Sequence, residues 1–374
     1  MCLVTGTEQT LGTKHPARLR HGGDKAKLIS ANDTAGFTYL GRFTDSGQAC
    51  AVGYETSQKA HSALRWLIQR QGFRNDDQTI VAWEISGKTV PSPMRNSRYA
   101  FWDDDEWNAE FGDGDDFYRG DFGQVFARKL NDRIAGYRRA LGSADDIVVM
   151  GMDSATPGRM AVTYYRELTG SEFMERLEAW HKDYAWLQNY SKETRFLGAP
   201  APREIAEAVY GRPLDAKIGK ATVSRLLPCV MDGAALPSDI LRSVCRRAAG
   251  RVGMEHWEWE KVLGIACGLF RGFHKERGYR MSLETERNSR DYLYGRLLPQ
   301  QEVWDYSFLI RKLHDRFKEQ FGTIYCRDIF FKEKELNRIP VCLETYKKGA
   351  ILVTQLLLDA PELLRTATPD EMKI

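Results

Sequence analysis

The chain has 374 residues, 43% of them hydrophobic and 28% charged, with 54 Lys and Arg against 51 Asp and Glu for a formal net charge of +3. That length is enough for more than one cored domain, and the composition excludes a disordered, collagen-like or disulfide-stapled chain. The small net charge does not announce a polyanion binder, but its distribution is uneven: residues 103–121 are densely acidic, whereas 217–225 and 242–251 are basic.

Taken in chain order, residues 25–43 form a basic, turn-rich segment. Its stretch from Ser30 to Gly36 suits a loop in which Asn32 and Asp33 adopt unusual backbone angles and aim amides at a ligand, with Lys25, Lys27 and Arg42 alongside. A plain connecting loop fits the same residues. Residues 36–43 and 79–85, rich in aromatic and β-branched types, predict strands flanking a helix over 57–71.

In that helix Ala60, Ala63, Leu64, Leu67 and Ile68 recur at steps of three and four, so this stripe is expected to be buried. His61, Arg65 and Gln69 then form one outward row and Lys59, Ser62, Trp66 and Arg70 the next, with Thr56 or Ser57 placed to cap the start. Such a face suits a nucleic-acid backbone: the cations replace counterions, Ser and Gln donate to phosphate oxygens, and Trp66 offers a ring to a base or sugar. A solvated helix with Trp66 in the core is the alternative. His61 has no Cys, His or carboxylate at ligand spacing and reads as a hydrogen-bonded surface residue, not a metal ligand.

Residues 91–120 combine Pro91, Pro93, glycines and the acidic run, and predict a long excursion. Clustered carboxylates such as Asp103, Asp105, Asp113 and Asp115 are what a metal-dependent nuclease would need, which makes the cluster at 103–121 the enzyme alternative; a solvated acidic loop fits it too. A helix over 122–141, strands over 147–152 and 159–168, and a helix capped by Ser171 and carrying Phe173, Met174, Leu177, Trp180 and Leu187 complete the first part. Pro200 and Pro202 mark a boundary. Beyond it 203–210, 217–227, 237–251 and 254–273 each predict a helix, the last apolar on more than one face and expected at the centre of a bundle. On the helix over 237–251, Arg242, Arg246, Arg247 and Arg251 follow steps of three and four and are candidates for phosphate, unless they pair with Asp232, Asp239 or Glu255. Phe308, Leu309, Leu313, Phe317 and Phe321 give the tail helical spacing. The whole reads as α+β: a mixed strand and helix part over 1–199, an all-helical bundle over 200–298 and a helical tail over 299–374.

No nucleophile set, phosphate-binding loop or dinucleotide fingerprint stands out, so no catalysis and no cofactor are expected. The seven cysteines form no CxxC pair or Cys/His cluster, and Cys267 reads as core filling in a reducing compartment. Nothing resembles a signal peptide or a spanning helix, and a cytoplasmic location without membrane partners is expected.

Two segments, KAKLISANDTAGFTYLGRF at 25–43 and SQKAHSALRWLIQRQG at 57–72, resemble the large subunit of the subtype I-C CRISPR-Cas surveillance complex, Cascade. CLVTG at 2–6 with His15-Pro16, KVLGIAC at 261–267 and SRDYLYGRLL at 289–298 resemble the same family in the same order. The resemblance implies a subunit that binds invading double-stranded DNA beside a short flanking motif, assembles with CRISPR RNA and the backbone subunits, and docks a helicase-nuclease that does the cutting. It points to Lys25, Lys27, Asn32, Arg42, Lys59, His61, Arg65 and Arg70 for nucleic acid, with Arg246 and Arg247 added from charge spacing. Family members carry a further region ahead of CLVTG, the stretch between Pro16 and Lys25 is shorter here, and the expected helical portion after Leu298 is not recognisable. A shortened relative, or a repurposed stand-alone DNA-binding protein, is therefore expected.

Overall fold

The computed structural model describes residues 1–29, 51–111, 122–156, 158–191 and 194–279. The chain divides into two units, Met1–Ser282 and Leu283–Ile374, and the second lies outside the described residues together with the tail helices expected there. The strand expected at 36–43 is outside them too.

The first unit is α+β. Its elements are α1 (Tyr54–Gln71), β1 (Phe73–Asn75), β2 (Gln78–Glu84), α2 (Ser97–Phe101), α3 (Asp104–Phe111), α4 (Phe122–Leu141), β3 (Asp146–Thr156), β4 (Arg159–Thr169), α5 (Gly170–Asp183), β5 (Trp186–Asn189), β6 (Arg195–Gly198), α6 (Pro202–Tyr210), α7 (Ala216–Met231), α8 (Ser238–Ala249) and α9 (His256–Phe273). Strands β1 to β4 pair antiparallel in sequence order, and β5 with β6 makes a separate hairpin.

Side-chain alternation on the sheet divides the interior into two cores. On β2, Ile80 and Ala82 join the larger cluster, which runs through Ile147 and Val149, the aromatic side chains of α2 to α4, and the helices as far as Leu269. Val81 and Trp83 face the other way, where Met152 and Met160 of the sheet meet Leu64, Leu67 and Ile68 of α1 and Leu19 and Ala26 of the N-terminal segment. The sheet therefore carries α1 on one face and the helical body on the other.

Three expectations change. The supposed excursion at 91–120 is helical over Ser97–Phe101 and Asp104–Phe111: Asn96 caps α2 by accepting from Tyr99 N at 3.1 Å, and Trp102 and Trp107 stack edge to face at 5.6 Å in the core. Its acidic and proline content concealed four aromatic residues, Phe101, Trp102, Trp107 and Phe111, that repay the cost of ordering it. Thr169, not Ser171, caps α5, in a reciprocal box with Glu172. Leu187, expected on that helix, lies on β5.

The β5–β6 hairpin is held by a glycine face of α9. A Cβ on Gly264 would meet Leu187 O at 2.6 Å, and one on Gly268 would meet Tyr184 O at 2.6 Å. Gln188, buried between them, donates to Gly198 O at 3.2 Å and Gly264 O at 3.4 Å. Carbonyls of the facing backbone cannot swing aside, so Gly264→Ala and Gly268→Ala should each lower unfolding free energy by about 1–2 kcal/mol, overpacking exceeding the gain in helix propensity. Gly136→Ala on α4, where a Cβ meets nothing within 4 Å, should raise it by up to ~1 kcal/mol. Denaturant titration of the three variants checks this.

Candidate nucleic-acid interface

The phase of α1 differs from the expected one. Ser57, His61, Leu64 and Ile68 are buried, while Ala60 and Ala63 are exposed. The reason lies in the N-terminal segment, which supplies polar partners for the buried side. His15 Nδ1 lies 2.8 Å from Ser57 Oγ, His61 Nδ1 lies 2.7 Å from Ser57 O, and the two imidazoles stack at 6.3 Å. Neither Thr56 nor Ser57 caps the helix: Gly53 is the N-cap, the Tyr54 amide donates to Thr10 O at 2.8 Å, and the Thr56 hydroxyl donates to Gln9 at 2.9 Å. His61 thus leaves the outward row for the interior. Burial, acting first, lowers both imidazoles, with Lys27 and the facing ring adding to it at His15 and Arg65 at His61.

Arg65 is also committed. Its guanidinium donates to Arg18 O and Ala17 O, each at 3.0 Å. Those carbonyls belong to a loop whose Arg18 sits at φ 63, a left-handed conformation costing about 1–2 kcal/mol that charge-assisted hydrogen bonds offset.

The loop is fixed by a buried ion pair. Arg20 Nε and Asp24 Oδ2 are 2.9 Å apart, Arg20 Nη2 and Asp24 Oδ1 are also 2.9 Å apart, and both side chains are 3% exposed. Arg20 further donates to Asp77 O in the β1–β2 turn and, at 2.9 Å, to Ser154 Oγ on β3. Burial pushes the Asp24 carboxyl up, but Arg20 and the Ala26 amide more than reverse this and leave it below the usual carboxylate range.

Of the two expected outward rows, Lys59, Ser62, Trp66 and Arg70 are exposed, and so is Gln69. The Trp66 ring is 52% exposed, and the Arg70 guanidinium lies over it at 4.9 Å. Lys59 pairs with Glu55 at 2.6 Å with both side chains largely in water, an arrangement that salt and competing phosphate readily displace. Lys25 is exposed and Lys27 half-buried, its backbone bridging the edge of β4 through Gly158 O and the Met160 amide. Asn32 and Arg42 lie outside the described residues.

The second basic row does not hold together as a surface. Arg247 is turned inward to Glu207 O at 2.9 Å and Ala208 O at 3.1 Å and pairs with Glu258. Arg246 is exposed, Arg242 bonds Ser238, and Arg251 stacks on Trp259 at 4.8 Å. Asp232 and Asp239, proposed partners for these arginines, are instead taken by Arg166 and Arg225.

Among the described residues, no group of three or more His, Cys, Asp or Glu is placed to hold a metal ion. Most described carboxylates of the acidic run are engaged, Asp104 with Arg98 at 2.9 Å, Glu106 and Glu110 with Arg133 on α4, and Asp103 with the Glu106 amide at 2.8 Å, while Asp105 is exposed on α3. Asp113 and Asp115 lie outside the described residues. The Ser97–His181 pair, 2.8 Å apart, is fully buried and its imidazole is held neutral, pushed down to about 3 by burial. Unanticipated is a cleft where Glu207, Arg203, Arg212 and Lys261 meet; its one legible trace is Lys261 at the head of the apolar run of α9.

The arrangement of basic loop and aromatic-cationic helix lies within a region, residues 1–305, that matches the family model described as CRISPR-associated protein (Cas_Csd1). The chain belongs to that family. As a Cas_Csd1 protein it is CRISPR-associated, and membership implies a component of a Cascade complex with other Cas subunits. No curated protein matches the chain. Among its described residues no helix is long and apolar enough to cross a membrane.

The buried histidines set a pH dependence. Their folded pKa values lie below the ordinary value of 6.5, so the unfolded chain binds more protons and stability falls as pH drops below about 6.5. Thermal melts from pH 7.5 to 5 should show this fall, and His15→Gln combined with His61→Gln should flatten part of it while leaving the share due to His181. Arg20→Ala, which strands the Asp24 carboxylate, should cost about 3–5 kcal/mol and speed amide exchange in residues 15–28 and α1 before the larger core.

Proposed function

We propose that this chain is the non-catalytic large subunit, or a shortened relative, of a type I-C Cascade, working in the cytoplasm on target double-stranded DNA. In this reading it assembles with CRISPR RNA and the backbone subunits, contacts duplex near the flanking motif, and leaves cutting to a docked helicase-nuclease. Guide pairing reads the sequence and the protein contributes backbone and flanking-motif contacts.

Family membership supports the assembly, and the observation that carries the DNA contact is the exposed row Lys59, Ser62, Trp66 and Arg70 on a helix whose other side is locked to the sheet. A rigidly held helix presents cations and a ring at fixed spacing, which lowers the ordering cost of engaging a regular polyanion. Lys25 and Lys27 enter the same segment and extend the basic surface. Arg65 and His61 act behind this face as positioning residues: they hold the helix on its loop.

The test is duplex binding by the assembled complex across salt concentrations. Lys59→Ala with Arg70→Ala should weaken affinity and reduce the salt slope by about 2, one for each lost phosphate contact. Trp66→Ala should weaken affinity with little change in slope. Arg65→Ala should act through stability instead, loosening residues 15–28. The same preparations with magnesium or manganese, but without the helicase-nuclease, should leave labelled duplex intact. An unchanged affinity and slope in the Lys59/Arg70 variant removes this row from the interface.

A further inference from the structure

On a different part of the unit, the start of α6, the loop after it and the first turns of α9 enclose an open cleft of about 400 Å³. Its charge is unbalanced. Glu207 faces three cations: Arg212 Nε at 3.0 Å, Lys261 Nζ at 3.3 Å and Arg203 Nε at 3.6 Å. The neighbouring Glu204 accepts from Asn96 at 2.8 Å, the Tyr190 hydroxyl at 2.6 Å and the Ala201 amide at 2.7 Å; burial pushes its carboxyl up, with Lys261 acting against this, so it offsets the cations less than Glu207 does. Lys261 is 9% exposed, and its ammonium lies 4.6 Å over the Tyr190 ring. Arg203 and Arg212 reach the solvent side, and two aromatic residues that line the same cleft, Tyr99 and Trp257, remain 38% and 48% exposed.

Three cations outnumber the two carboxylates Glu204 and Glu207 and leave room for an anion, and guanidinium groups suit the geometry of phosphate oxygens. Exposed rings beside that charge suit a planar group carried by the same ligand, as bases stack on aromatic side chains. The volume lies within the range of small-ligand pockets, roughly 300–1,000 Å³. We propose that this cleft binds one nucleotide unit, its phosphate on Arg203, Arg212 and Lys261 and its base against Trp257 and Tyr99. The unit is either a free mononucleotide or a nucleotide turned out of a strand. The assignment is independent of the α1 face.

Calorimetric titration of the full chain with a deoxynucleoside monophosphate and with a short phosphorylated single strand tests it. Binding should fall at least tenfold in the Arg203→Gln/Arg212→Gln variant, and about 5- to 150-fold in Trp257→Ala through lost stacking. Melting temperatures near wild type identify folded variants, and Lys59→Ala/Arg70→Ala should leave mononucleotide binding unchanged, which separates this site from the duplex surface. Binding of the mononucleotide assigns the cleft to a free ligand; binding of the strand alone, with the same sensitivity to the cleft variants, assigns it to a nucleotide within a polymer. Binding of neither, equal binding of phenyl phosphate or inorganic phosphate, or indifference to the cleft variants overturns the proposal.

Discussion

The buried pair of Arg20 and Asp24 is the constraint from which the candidate surface follows. Removing two charges from water is costly, and the pair is sustained because both carboxylate oxygens are met and the guanidinium also reaches Asp77 O and Ser154. Those contacts join the N-terminal loop to the β1–β2 turn and to β3. With the loop fixed, its carbonyls at residues 17 and 18 hold Arg65, and His15 and Gln9 hold the first turn of α1. The small core of Leu19, Ala26, Leu64 and Ile68 is then closed over the sheet. Such a pair adds less to net stability than to fixing one arrangement, and here the arrangement selects which side of α1 meets water.

That dependence explains what local sequence patterns conveyed and what they did not. The helix over 122–141 and the strands near 147–152 and 159–168 were legible because their apolar residues recur at the period of a single element. The face of α1 was legible only in part. Leu64 and Ile68 point inward as their period requires, but Ser57 and His61 displace Ala60 and Ala63: His15, more than forty residues away in the chain, reaches the Ser57 hydroxyl, and His61 Nδ1 turns back to Ser57 O. Periodicity ranks residues by apolarity and carries no signal for a polar group whose partner is distant.

The same limit applies to the charges. Arg65, Arg70, Arg246 and Arg247 look alike as sequence, yet Arg65 and Arg247 end on backbone carbonyls, whereas Arg70 lies over an exposed ring and Arg246 faces water. The β5–β6 hairpin was hidden for a related reason: its short strands are fixed by close approach to Gly264 and Gly268 of α9, a contact that exists only once the helix is in place. Family resemblance reached further than periodicity, since the match over residues 1–305 names the machinery without saying which cations are free to engage it.

The account rests on the outward row of α1 lying against target DNA. Photo-crosslinking from Trp66→p-benzoylphenylalanine in the assembled complex tests that contact directly, with the same substitution at Arg246 for comparison. Adducts to target duplex from position 66 that disappear with competitor DNA are the predicted result. Absence of duplex adducts at 66 in a complex that still binds DNA, with adducts forming from position 246 instead, would contradict it.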